Sequence, residues 1–114
     1  MRRIDTTEAL HALYETPTGM AMDKVVTRLT PAYRAWIEGA RFCLLSTAGP
    51  DGVHGTPRGD DGPVVRVHDP STLLMPDWRG NNRLEALRDI VQDGRVALLF
   101  MVPGSKTTVR VNGR

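Results

Sequence analysis

The sequence predicts a small, mainly β protein: an antiparallel barrel of short strands with helices at its periphery. Three observations carry this. Eleven glycines and eight prolines fall within 114 residues, and strings such as Ala48-Gly49-Pro50-Asp51-Gly52 demand tight turns. The apolar runs between the turns are short, as at Phe42–Leu45 and Val96–Val102, or alternate, as at Thr107–Asn112. Helical spacing with start and stop signals appears in only three places.

The first helix is predicted over Asp5–Tyr14, with Asp5 as cap, Glu8 at the third helical position and Ala9, Leu10 and Leu13 as its apolar stripe. Thr30-Pro31 starts a second, which carries Tyr33, Trp36 and Ile37 and ends at Gly39. From Arg41 the period changes. Phe42–Thr47 reads as a strand apolar on both faces, turned at Pro50-Asp51 into a returning strand that ends at Gly59. Val64–Val67 and Thr72–Met75 form a further hairpin about Asp69-Pro70. The third helix is predicted from Arg83 to about Gln92, capped by Asn82 with Glu85 three residues on, and with Leu84, Leu87 and Val91 facing inward. Val96–Val102 is the strongest core strand. In Thr107–Asn112, Val109 and Val111 point one way and Thr108, Arg110 and Asn112 the other.

Composition narrows the function. Forty per cent hydrophobic and 25% charged residues describe a folded domain. A net charge of +2 without a basic run argues against nucleic acid, and scattered arginines suit a small anionic ligand better. Cys43, the only cysteine, sits in an apolar run and reads as a buried, inert thiol. His11, His54 and His68 share no metal-ligand spacing, so no metal site is expected. Asp60 and Asp61 are adjacent and would face opposite sides of a strand, which is poor geometry for an acid/base pair. No apolar run approaches membrane-spanning length and no signal-peptide core is visible, so the expected location is cytoplasmic, without membrane association.

The stretch Leu73–Leu84 organises the rest: an apolar run, a proline, a polar turn and a helix start bearing Arg83. Helix amides and an arginine together make a plausible phosphate cradle, and an ordinary capped helix explains the same residues. Asp77 would hold Arg79 or Arg83, or simply serve the turn. Arg58 reads equally as a solvated strand arginine, and Trp78 as cover for the core.

Phe42-Cys43-Leu44-Leu45-Ser46-Thr47, Thr56-Pro57-Arg58-Gly59-Asp60, Pro76–Leu84, Val96–Gly104 and Thr108–Gly113, in that order and spacing, resemble the pyridoxamine 5′-phosphate oxidase-like, FMN-binding split-barrel family from about Arg34 onward. The resemblance implies a split β-barrel holding FMN between two chains of a homodimer. It also implies oxidoreductase activity on an unknown small-molecule substrate. Carried over by position, Arg58 and Arg83 would contact the flavin phosphate, with Asn82 assisting. Thr56, Pro57 and Gly59 would lie beside the ribityl chain and ring edge, and Thr108 would make a polar flavin contact. No catalytic residue is implied. Segment 1–40 would be helical and 41–114 the barrel core, within a single domain. The sequence departs from the family in stopping at Arg114, one residue past a strand. An incomplete barrel and an aggregation-prone edge are therefore expected, and substrate-binding residues of the oxidases proper are missing. The alternatives are a non-catalytic module of the same fold holding flavin, the deazaflavin F420 or haem, and a fragment without independent function.

Overall fold

The computed structural model describes residues 3–14, 24–59, 61–77 and 84–114. Their elements are α1 (Thr7–Leu13), α2 (Pro31–Gly39), β1 (Phe42–Gly49), β2 (Gly52–Gly59), β3 (Arg66–Asp69), β4 (Thr72–Leu74), α3 (Glu85–Gln92), β5 (Val96–Met101) and β6 (Thr108–Gly113). This is the expected order of elements. Four strands form an antiparallel sheet in the order β2-β1-β5-β6, and β3-β4 form a separate hairpin. Among the described residues β2 and β6 are sheet edges, so the barrel expected from the turns is open rather than closed.

The β1–β2 connection is a tight one. Gly49 pairs with Gly52 across Pro50-Asp51, and Gly52 takes φ +126°, a conformation that L side chains rarely adopt. From there the register runs unbroken to Phe42 opposite Gly59. On the far side of β1, Phe42 to Thr47 pair with Met101 back to Val96.

Alternation along these strands sorts the core. Cys43, Leu45 and Thr47 of β1, Leu98 and Phe100 of β5, and Val109 of β6 are buried on one face, which we call inner. The other face carries Phe42, Leu44, Ala97, Leu99 and Met101, of which Leu44 is 37% exposed. The apolar runs at β1 and β5 predict burial on both faces. One face is buried and the other only half covered, because α2, α3 and the β3-β4 hairpin supply apolar partners to the inner side alone. Val109 is buried, Val111 half-buried, and Thr108, Arg110 and Asn112 exposed, as the alternation requires.

Helix α2 forms for the expected local reasons. Pro31 occupies its first turn, and the Thr30 hydroxyl accepts the Tyr33 N–H at 3.2 Å. Its Ile37 is fully buried in the core. Helix α1 differs from expectation. Its cap is Thr6, whose hydroxyl accepts the Ala9 N–H at 3.0 Å, while Asp5 pairs with Arg3 at 2.8 Å. None of its residues is buried, so the stripe of Leu10 and Leu13 covers nothing in the described chain.

Helix α3 also departs. It begins at Glu85 with Leu84, not Asn82, in the cap position and no side-chain cap; Asn82 of the expected capping box lies outside the described residues. The residues it buries are Ala86 and Asp89, with Leu87 and Ile90 half-buried, whereas Leu84 and Val91 are exposed. The helix is turned so that a carboxylate, rather than the full apolar stripe, faces the sheet.

Candidate functional site

A cavity of about 340 Å³ lies against the inner face of the sheet, walled by Leu45 and Leu98, by Leu73 and Met75 near the hairpin, and by Leu87 and Ile90 of α3. Its lining is mainly apolar, but Arg58, Asp77, Asn112 and Arg114 contribute polar groups. Arg58 reaches it because β2 alternates: Thr56 and Arg58 pair with Leu45 and Cys43, so both face inward.

Arg58 is unlike the other arginines. Among the described residues it is the one arginine that is not exposed, with only 13% of its side chain in contact with solvent. Its Nη1 donates to Asp77 Oδ1 at 3.2 Å, and its Nε is buried with no hydrogen-bond partner. Arg95 makes the contrast. It is exposed and meets Asp93 through both Nε (2.7 Å) and Nη2 (2.8 Å), which holds the Asp93 carboxyl down to about 2. Arg95 is paired through two donors and hydrated at the surface, whereas Arg58 is a largely desolvated cation whose buried Nε has no partner. An apolar setting raises the value of any acceptor brought to it. The guanidinium fork suits carboxylate or phosphate oxygens. Beneath it, burial pushes the Cys43 thiol above its usual range despite the positive charge nearby, so this cysteine is the inert core residue expected.

The expected flavin-contact residues are not all brought together. Thr56 and Arg58 share the inner face. Pro57 and Gly59 point to the outer one, in the rows of Leu44 and Phe42. Thr108 is also on the outer face, but its row crosses the whole sheet through Met101 and Phe42 before reaching Gly59. Three strand spacings put the two roughly 14 Å apart. A ligand touching Thr56 through Gly59 has to lie along the β2 edge, where both faces are accessible. Asn82 and Arg83 lie outside the described residues, as do Trp78, Arg79 and Asp60. Asp77 pairs with Arg58, and the two partners its position suggested, Arg79 and Arg83, are among the residues outside the described ones.

A second polar cluster was missed by sequence reasoning. Asp89 Oδ2 accepts the Thr47 hydroxyl at 2.7 Å and lies 2.7 Å from His54 Nδ1. The Thr47 hydrogen bond, followed by that of His54, lowers the Asp89 carboxyl below its ordinary value, and the Asp89 hydrogen bond raises the His54 imidazole. Only the register, which places Thr47 opposite His54, could have pointed to it.

Among the described residues no group of three or more His, Cys, Asp or Glu side chains could hold a metal, and no helix is long and apolar enough to cross a membrane. No curated protein and no solved structure gives a significant match. The sequence model of the pyridoxamine 5′-phosphate oxidase family matches residues 29–114. That span takes in α2, every strand, α3 and the Arg58 cavity. By this match and by its open antiparallel sheet with peripheral helices, the chain belongs to the pyridoxamine 5′-phosphate oxidase family, whose split-barrel fold it shares.

Proposed function

We propose that the protein binds FMN and works as a flavin-dependent oxidoreductase on a small substrate. The observation that carries this, beside family membership, is Arg58: a largely buried guanidinium with a spare Nε donor, facing a mainly apolar cavity. That donor set fits a phosphate monoester. Bound flavin would supply the redox chemistry, and the chain's part is to bind, orient and exclude water. Arg58 would hold the phosphate, and Asn82 and Arg83 complete that contact in the proposal. Thr56 flanks Arg58 on the same face, and Pro57 and Gly59 present a side-chain-poor edge on the other, against which a planar ring can lie. Leu45, Leu98 and Ile90 keep the Arg58 side of the cavity apolar, which strengthens the charge contact. Thr108 enters only through a ligand or a second chain that reaches the outer face.

The visible spectrum of purified protein separates flavin, deazaflavin and haem. Apo-protein titrated with FMN and with riboflavin is expected to prefer FMN at least about tenfold, the value of one charge-assisted phosphate contact. Equal affinities would overturn the phosphate assignment.

Homodimerisation belongs to the same proposal. The half-covered outer face, with Phe42, Leu44, Leu99 and Met101, offers apolar area for a second copy. Light scattering is expected to give twice the 12.6 kDa chain mass. A monomer that binds FMN tightly would refute a two-chain site.

A further inference from the structure

We propose that His54 is a proton-operated positioning residue for α3: its charged form clamps Asp89, and with it the helical wall of the cavity, onto the sheet. Asp89 joins three pieces of backbone. It accepts from Thr47 of β1, contacts His54 of β2, and its other oxygen lies directly over Gly49 at the end of β1. Leu87 and Ile90, two positions before and one after it, form the α3 wall of the cavity. Whatever loosens the grip on Asp89 therefore loosens that wall. The proposal concerns the wall itself and does not depend on which ligand the cavity takes.

The geometry suits titration. The His54 side chain is 37% exposed and exchanges protons with solvent, whereas the Asp89 side chain is 6% exposed. The charges acting on His54 are all acidic: Asp89 and Glu85 from α3 and Asp51 from the β1–β2 turn. Asp93 adds a further negative charge near Asp89. The imidazolium is thus held by its surroundings, with the Asp89 hydrogen bond as the leading cause. Its pKa in the folded chain stands above the ordinary 6.5. The stabilisation is accordingly complete below pH 6.5 and is lost as pH rises through the folded-state pKa. Asp89, lowered from 3.8, sets the other limit: its contribution is present above 3.8 and is lost as pH falls through its own lowered value. The clamp is complete between those limits and slackens on the alkaline side.

The test is amide hydrogen exchange of the ligand-free protein from pH 5.5 to 8.5, corrected for intrinsic exchange, in wild type and His54→Gln. Glutamine keeps a hydrogen-bond donor but cannot titrate. In wild type the protection of residues 85–92 is expected to fall at least about threefold across the range, relative to that of β5. In His54→Gln it should stay level. A level wild-type profile, or the same fall in the variant, would overturn the proposal. Should His54→Gln fail to fold, wild-type NMR decides: the Leu87 and Ile90 methyl shifts must titrate with the midpoint of the His54 ring. Different midpoints, or no methyl titration, refute it.

Discussion

Gly49→Ala is expected to lower the melting temperature by on the order of 10 °C or more, while Gly55→Ala leaves it nearly unchanged. A Cβ on Gly49 would collide with Asp89 Oδ1 and stand 2.9 Å from Asp89 Cγ, so either the carboxylate or the strand must move. If the carboxylate moves, its other oxygen leaves both Thr47 and His54. Thr47 is 3% exposed, and its hydroxyl would lose the acceptor the structure gives it. Overpacking costs roughly 1–3 kcal/mol and a buried unsatisfied hydroxyl about 1–3 more. Each kilocalorie is worth about 4–8 °C in a domain near this size. At Gly55 a Cβ meets nothing within 4 Å, so that variant should stay within about 0.5 kcal/mol of wild type. Thermal melts of both decide it. Coincident melts of Gly49→Ala and wild type would mean that Asp89 does not hold α3.

That contact shows where sequence reasoning stops. The Thr30-Pro31 start of α2 and the Pro50-Asp51 turn were legible because their chemistry is complete within four residues. The alternation of Thr108 to Asn112 was legible because it is a property of one strand. Asp89 was not, because its meaning depends on Thr47, 42 positions away. A helix read by its leucines and valine alone turns Leu84, Leu87 and Val91 inward. The Thr47 and His54 bonds instead turn Ala86 and Asp89 to the sheet and leave Val91 86% exposed. The pairing of Arg58 with Asp77, across 19 positions, was hidden for the same reason. The stretch Thr56–Gly59 around Arg58 shows another limit. Period-two alternation splits it between two faces, so a contiguous motif is not a contiguous surface. The open sheet is a matter of which strands pair at β2 and β6, and no single strand records that.

Arg58 and Asp77 carry the second large effect, and their two variants should move FMN affinity in opposite directions. Arg58→Ala removes a fork held 13% exposed in an apolar setting, and loss of a charge-assisted contact of this kind costs about 1.5–3 kcal/mol. FMN should then bind roughly ten- to a hundredfold more weakly, with riboflavin little changed. Arg58→Lys should recover only part of the loss, because an ammonium cannot reproduce the fork. Asp77 is half exposed and meets Arg58 through one 3.2 Å contact, so it is the partner able to swing away when a stronger acceptor arrives. Until it does, its charge competes with phosphate for Nη1. Asp77→Asn should therefore tighten FMN by about three- to tenfold at low ionic strength, and less as salt screens the pair. The same change leaves Arg58 without its carboxylate, so the ligand-free protein should melt slightly lower and gain more from saturating FMN than wild type does. Calorimetric titrations and melts of the three variants, checked for native circular dichroism, read all of this. If Asp77→Asn weakens FMN as Arg58→Ala does, Asp77 holds the arginine in place for the phosphate instead of competing with it. If neither variant changes FMN relative to riboflavin, the phosphate is not held at Arg58.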